Sequence, residues 1–193
     1  MSRRTDPTKR ETMLEQACEI LSRSGVVDTS LRSLAAQMDT SARMLIYYFG
    51  SKEKLILEVI DHEQRRAAPD PGVSTSVADL RAYILADWDS ITRGEKHVSV
   101  RILEQVFGAA CAQDSPYADY TAQTLSRLIG NFETRLVAIG MPADIAATRA
   151  VVGLTALQGY LMRYFTAPDP AVVDREFLRF VDDVILAPFR VRT

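Results

Sequence analysis

The chain has 193 residues, 47% of them hydrophobic and 25% charged, and its formal net charge is −2. That length suits one large domain, or a small head joined to a larger body. The charge argues against a polybasic nucleic-acid binder but leaves room for a local basic patch.

Chemistry-bearing motifs are sparse. Cys18 and Cys111 lack CxxC spacing, and His62 and His97 stand apart. Two reduced thiols are expected rather than a disulfide or a metal site. No P-loop, GxGxxG, GxSxG or HExxH occurs, so neither enzymatic activity nor a cofactor is expected. The start, MSRRTDPTKRE, has no signal-peptide core, and the most apolar stretch, 151–162, is interrupted by Thr155 and Gln158. A cytoplasmic protein with no membrane span is expected.

Taken in order, the elements read as helices. Residues 8–23 place Met13, Leu14, Ala17, Cys18, Ile20 and Leu21 on one face, and Gly25 ends the run. Ser30 is placed to cap a second helix over 31–38, and Ser41 a third to Phe49. After Gly50, Ser51 opens a fourth, which runs to about Ala67. The stretch 68–76, APDPGVSTS, is the clearest break. Beyond it, Ser76 and Asp79 form a capping signature for a helix with Leu80, Tyr83, Ile84, Trp88 and Ile91. Further helices are expected from about Glu95 to Cys111, from Pro116 to Gly140, from Pro142 to Phe165, and from Asp169–Pro170 to Ala187. The expected fold is all-α with nine helices: a head over 1–50, a connecting helix over 51–67 and a helical body over 68–193.

Residues 44–49, MLIYYF, put six large side chains in a row within a short helix. The spacing turns Leu45 and Phe49 inward, together with Leu34, Ala35 and Met38 of the preceding helix. Ala42, Arg43, Ile46 and Tyr47 must then point outward. Helix, short turn, helix is the helix-turn-helix arrangement, and a DNA major groove accepts such a second helix. Arg43 suits a guanine edge, and Ile46 or Tyr47 a thymine methyl. Lys52 and the amides near Ser51 suit a phosphate. A core helix packed on both sides is the bland alternative.

Residues 10–60 resemble the amino-terminal domain of TetR-family transcriptional regulators. The matching features are the first-helix apolar pattern, Gly25, Thr29-Ser30, Leu34-Ala35, Ser41, Leu45, Phe49 and the run Ser51-Lys52-Glu53-Lys54-Leu55. The resemblance implies a homodimeric, effector-responsive regulator bound to a double-stranded operator. It also places Tyr48 against the DNA backbone and Arg32 at a position able to touch DNA. Two residues depart from the family pattern. Asp39 stands where the family has Gly, and Ile46 where it usually has Tyr.

In the body, helices 144–165 and 170–187 carry more apolar residues than one subunit of this size can hide, which favours a homodimer. The resemblance implies that these two helices form an intersubunit bundle. Tyr83, Trp88, Arg101, Phe107, Tyr117, Tyr120 and Gln158 mix aromatic surface with polar handles, as a small-molecule pocket does. An ordinary core margin has the same composition. An all-α enzyme and a protein–protein adaptor remain as alternatives.

Overall fold

The computed structural model describes residues 6–66 and 74–188. Among them are nine α-helices and one π turn: α1 (Pro7–Ser24), α2 (Leu31–Gln37), α3 (Ala42–Phe49), α4 (Lys52–Arg66), α5 (Val77–Thr92), α6 (His97–Ala110), α7 (Ala118–Ala138), α8 (Ala143–Thr166), α9 (Pro170–Phe180) and the turn Val181–Ile185. No strand occurs among the described residues. Most of the expected break at 68–76 lies outside them.

Local chemistry sets the helix starts. Asp6, Ser30, Ser41, Ser76 and Asp169 each accept a backbone N–H from the first turn of α1, α2, α3, α5 and α9. Pro170 follows Asp169 as the first residue of α9.

The helices form two compact units: residues 1–68 with 95–121, and residues 69–94 with 122–193. The sequence reading put all of 68–193 into the body. The structure instead groups α6 with the head, because Ile102, Leu103 and Val106 are buried as α6 packs on α1 and α4. In this first unit α1 also packs on α4, and Arg10 pairs with Glu58 while its guanidinium lies over the Phe49 ring.

The second unit is built on Leu80, Leu136, Met141, Ala146, Ala150 and Ile185. Gly153 lets α8 approach closely: a Cβ there would sit 2.9 Å from Phe132 Cε1 and 3.1 Å from Ile185 Cδ1. By length and composition α8, with 24 residues and an 18-residue stretch of mean hydropathy 1.2, is long and apolar enough to cross a membrane. The sequence reading expects no span here, because Thr155 and Gln158 interrupt the apolar stretch 151–162. One side of α8 packs on α5 and α9.

The last helix does not run unbroken to Ala187. After Phe180 the backbone widens into the π turn, closed by Leu186 N–H donating to Val181 O at 2.9 Å. Arg149 donates to the carbonyls of Ile185 and Ala187 at 2.8 and 2.6 Å, filling acceptors that the widened end leaves open.

Candidate nucleic-acid interface

Four short-range devices present α3. Ser33 N–H donates to Ser30 Oγ at 3.1 Å, which starts α2. Asp39 then takes φ 49°, the left-handed conformation that Gly adopts at lower cost, and Thr40 N–H returns to Ala35 O at 3.0 Å. Met44 N–H donates to Ser41 Oγ at 3.2 Å, which starts α3. Gly50, at φ 83°, ends α3 with its N–H on Ile46 O at 2.8 Å. The departure at Asp39 is therefore accommodated, since the turn keeps the backbone hand the position needs.

The faces divide as the spacing predicts. Leu45 and Phe49 are 1% and 4% exposed, and Leu34, Ala35 and Met38 are buried beneath them. Ile46 and Tyr47 are 50% and 48% exposed, Arg43 is exposed, and Ala42 and Tyr48 are half-buried. Tyr47 meets Tyr48 edge-on at 5.4 Å, so the two rings stiffen each other on the outer face. Arg32 is exposed early in α2, and Lys52 is half-buried at the start of α4. One of the amides near Ser51 is already taken, as Lys54 N–H donates to Ser51 Oγ at 3.2 Å.

The seven candidate effector residues fall in both units. In the first, Arg101 is exposed, Phe107 and Tyr117 are buried, and Tyr120 donates its hydroxyl to Asp61 Oδ1 at 3.1 Å. Burial pushes the Tyr117 hydroxyl up to about 12. In the second, Arg135 covers the Tyr83 ring at 4.0 Å, and Gln158 is half-buried. Trp88 stacks on Phe177 at 4.1 Å and donates Nε1–H to Asp174 Oδ1 at 2.7 Å. Arg93 donates to both oxygens of the same carboxylate. Trp88 is thus committed to its own unit's packing.

Sequence reading missed Glu104 and Asp174. Burial pushes the Glu104 carboxyl up to about 7. Its only sequence signal is a lone acid beside Leu103 at the edge of an apolar stripe. An open groove of about 440 Å³ also went unforeseen; it is lined by Tyr160, Arg163, Glu176, Arg179, Phe180, Asp183 and Val184. No group of three or more potential metal-binding His, Cys, Asp or Glu side chains occurs among the described residues.

A capped helix-turn-helix with a solvent-facing Arg-Ile-Tyr surface, on an all-helical chain, defines a DNA-binding type of domain. Residues 13–59 match the family described as bacterial regulatory proteins, tetR family. The likeness to that family is thus carried by the head, over 47 of the 193 residues. It is 26% identical over 111 residues to the HTH-type transcriptional repressor NicS of Pseudomonas putida, a match covering 55% of this chain and 52% of that one. The chain thus spans about half the length of this curated relative. Its fold matches a TetR-like transcriptional regulator from Rhodococcus sp. RHA1 with a TM-score of 0.65 at 21% identity, covering 94% of this chain and 97% of the other. AibR, solved in complex with isovaleryl coenzyme A and operator DNA, matches with a TM-score of 0.63 at 16% identity, over 94% and 100% of the two chains.

Proposed function

We propose that the protein is a ligand-responsive repressor that binds a near-palindromic operator as a homodimer. One observation carries the reading: α3 buries Leu45 and Phe49 while leaving Arg43, Ile46 and Tyr47 exposed on one outer surface. A soluble head gains nothing from a half-exposed Ile-Tyr pair unless something covers it, and a major groove does. Arg43 donates to a guanine edge, while Ile46 and Tyr47 meet thymine methyls beside Ala42. Lys52, Tyr48, Arg32 and the Ser41 end of α3 hold the phosphates.

The dimer reading is supported by a second apolar surface. Val151, Val152 and Met162 of α8, Val172 of α9 and Val184 of the π turn are all more than a third exposed. Leu161 and Phe177, though on the same helices, are 2% and 5% exposed and belong to the subunit's own core. A charge at either would unfold the chain, so the dimer is tested at Met162 or Val151.

Release by a small, mostly apolar effector follows if the effector favours a different presentation of α3 in the two subunits. Linkage then requires operator DNA to weaken effector binding by the same factor. The testing experiment is selection of bound sequences from random duplex DNA. A recovered inverted repeat, with half-sites about one helical turn or a modest multiple apart, supports both DNA binding and two-fold symmetry. Recovery of no enriched sequence at low salt overturns the reading.

A further inference from the structure

We infer that Gln105 of α6 is a positioning residue for the recognition helix, holding the α1–α2 turn and so the angle at which α2 and α3 are presented. The inference rests on the DNA-binding reading above.

Helix α1 ends at Gly25, whose N–H donates to Leu21 O at 2.9 Å and whose φ is 79°. The chain then reverses over four residues to reach Ser30, the cap of α2. Val26, the first of the four, is 1% exposed. A buried N–H there needs an acceptor. It finds one 79 residues away: Val26 N–H donates to Gln105 Oε1 at 2.7 Å.

The other end of the same amide is also engaged, as Gln105 Nε2 donates to Arg101 O at 3.2 Å. The amide is therefore oriented by two backbone partners, one on α6 and one in the turn. Its oxygen must face Val26, because only an acceptor can serve that N–H.

Gly25 matches this arrangement twice. A Cβ at Gly25 would stand 3.0 Å from Gln105 Oε1, and the positive φ disfavours any other residue. Thr29, 3% exposed, closes the turn by donating Oγ1–H to Gly25 O at 2.5 Å. Between α6 and the cap of α2 there is thus no slack: the amide fixes Val26, Thr29 fixes Gly25, and Ser30 follows directly. An aliphatic side chain at 105 would fill the same space without fixing a direction, which is the contribution specific to the amide.

The test uses the full chain, with Gln105→Met as the isosteric variant lacking the acceptor and Gln105→Glu as the variant that keeps it. The DNA probe is the duplex that the wild-type chain selects from a random pool, with a scrambled duplex of equal length as control. Gln105→Met should lose about tenfold in affinity for the selected duplex while binding the scrambled one unchanged. Its Val26 amide should exchange with solvent about tenfold faster. Gln105→Glu keeps the acceptor for Val26 N–H but loses the donor to Arg101 O, so it should recover the Val26 protection and part of the duplex preference, a pattern that a general loss of stability would not give. If Gln105→Met keeps wild-type preference for the selected duplex, the positioning role is overturned and the DNA-binding reading stands. If the wild type selects no duplex at all, the reading itself fails and takes the inference with it.

Discussion

Among the described residues, α3 and α8 with its neighbours each bring an apolar face to the surface, and the two keep different company. On α3, Ile46 and Tyr47 sit beside Arg43, with Lys52 just beyond the helix end. On α8, Val151, Val152 and Met162 are interleaved with Thr155 and Gly159, and a Cβ at Gly159 would meet nothing within 4 Å. The first pattern suits a polyanion whose grooves carry methyl groups; the second suits another apolar helix at close range. Exposure alone does not separate them, since Ile46 and Val151 are equally open at 50% and 48%. The balance of neighbouring charge does: Arg163 beside Met162 is offset by its pair with Glu176, whereas Arg43 and Lys52 both add positive charge beside Ile46 and Tyr47.

The largest effect that would sharpen this contrast is expected at Met162, which is 67% exposed. Met162→Glu should convert the dimer to monomer at micromolar concentration, seen by sedimentation, with helicity and melting close to wild type. Leu161→Asp should instead destabilise the chain by roughly 3–5 kcal/mol, because it buries a charge without a partner. Should the two variants behave alike, the α8 face is not an interface.

On the other face, Arg43→Ala should cost about 1–3 kcal/mol at one base pair of each half-site and relax the choice there. Lys52→Ala should weaken all duplexes equally. Salt gives the same contrast without mutation. DNA affinity should fall with a log–log slope of roughly −0.9 for each phosphate contacted, and subunit association should barely change. Equal loss on cognate and scrambled DNA in Arg43→Ala would remove it as a base reader.

Protons separate the units as well. Glu104 shares a unit with α3, and burial holds its folded pKa at about 7, above the ordinary value of 4.5. The folded state binds the extra proton, so this contribution is complete below about pH 4.5 and is lost as pH rises through 7. Glu104→Gln should raise stability at pH 8 by at most about 3 kcal/mol and leave it unchanged at pH 4, as urea titrations would reveal. Asp182 contributes with the opposite sign. Its hydrogen bonds from Arg81 hold the carboxyl below the usual range, so that contribution fades as pH falls.

The smallest expected effect is at Asp39. Asp39→Gly should relieve its left-handed backbone and stabilise the head by up to about 1 kcal/mol without altering base preference. A loss of stability would mean that the Asp side chain contributes more than its backbone costs.

Much of this was legible in the sequence because it is local. Ser30, Ser41, Ser76 and Asp169 bond within three residues of themselves, and Leu45 with Phe49 obeys a helical period. What stayed hidden depends on partners far along the chain. Val26 finds Gln105 after 79 residues, Trp88 finds Asp174 after 86, and Arg149 reaches the carbonyls that accompany the π turn after 36 and 38. Period alone could not distinguish Leu161 from Met162, adjacent residues on a helix apolar almost all round. It also could not reveal that α6 joins the head, since an amphipathic stripe announces that it will be covered but not by what.

The chain's one tryptophan has a practical consequence for anyone watching it in solution. Trp88 is 4% exposed, stacked on Phe177 and tied through Nε1–H to a carboxylate, so its emission senses the interior of the second unit rather than the bulk solvent. The molecule therefore carries an optical gauge with a narrow field of view. Events that loosen the Trp88–Phe177 stack or withdraw Asp174 will register as a change in intensity or colour. Events confined to the turn at Val26 or to the face of α3 will pass in the dark, and following them calls for a label placed on the head.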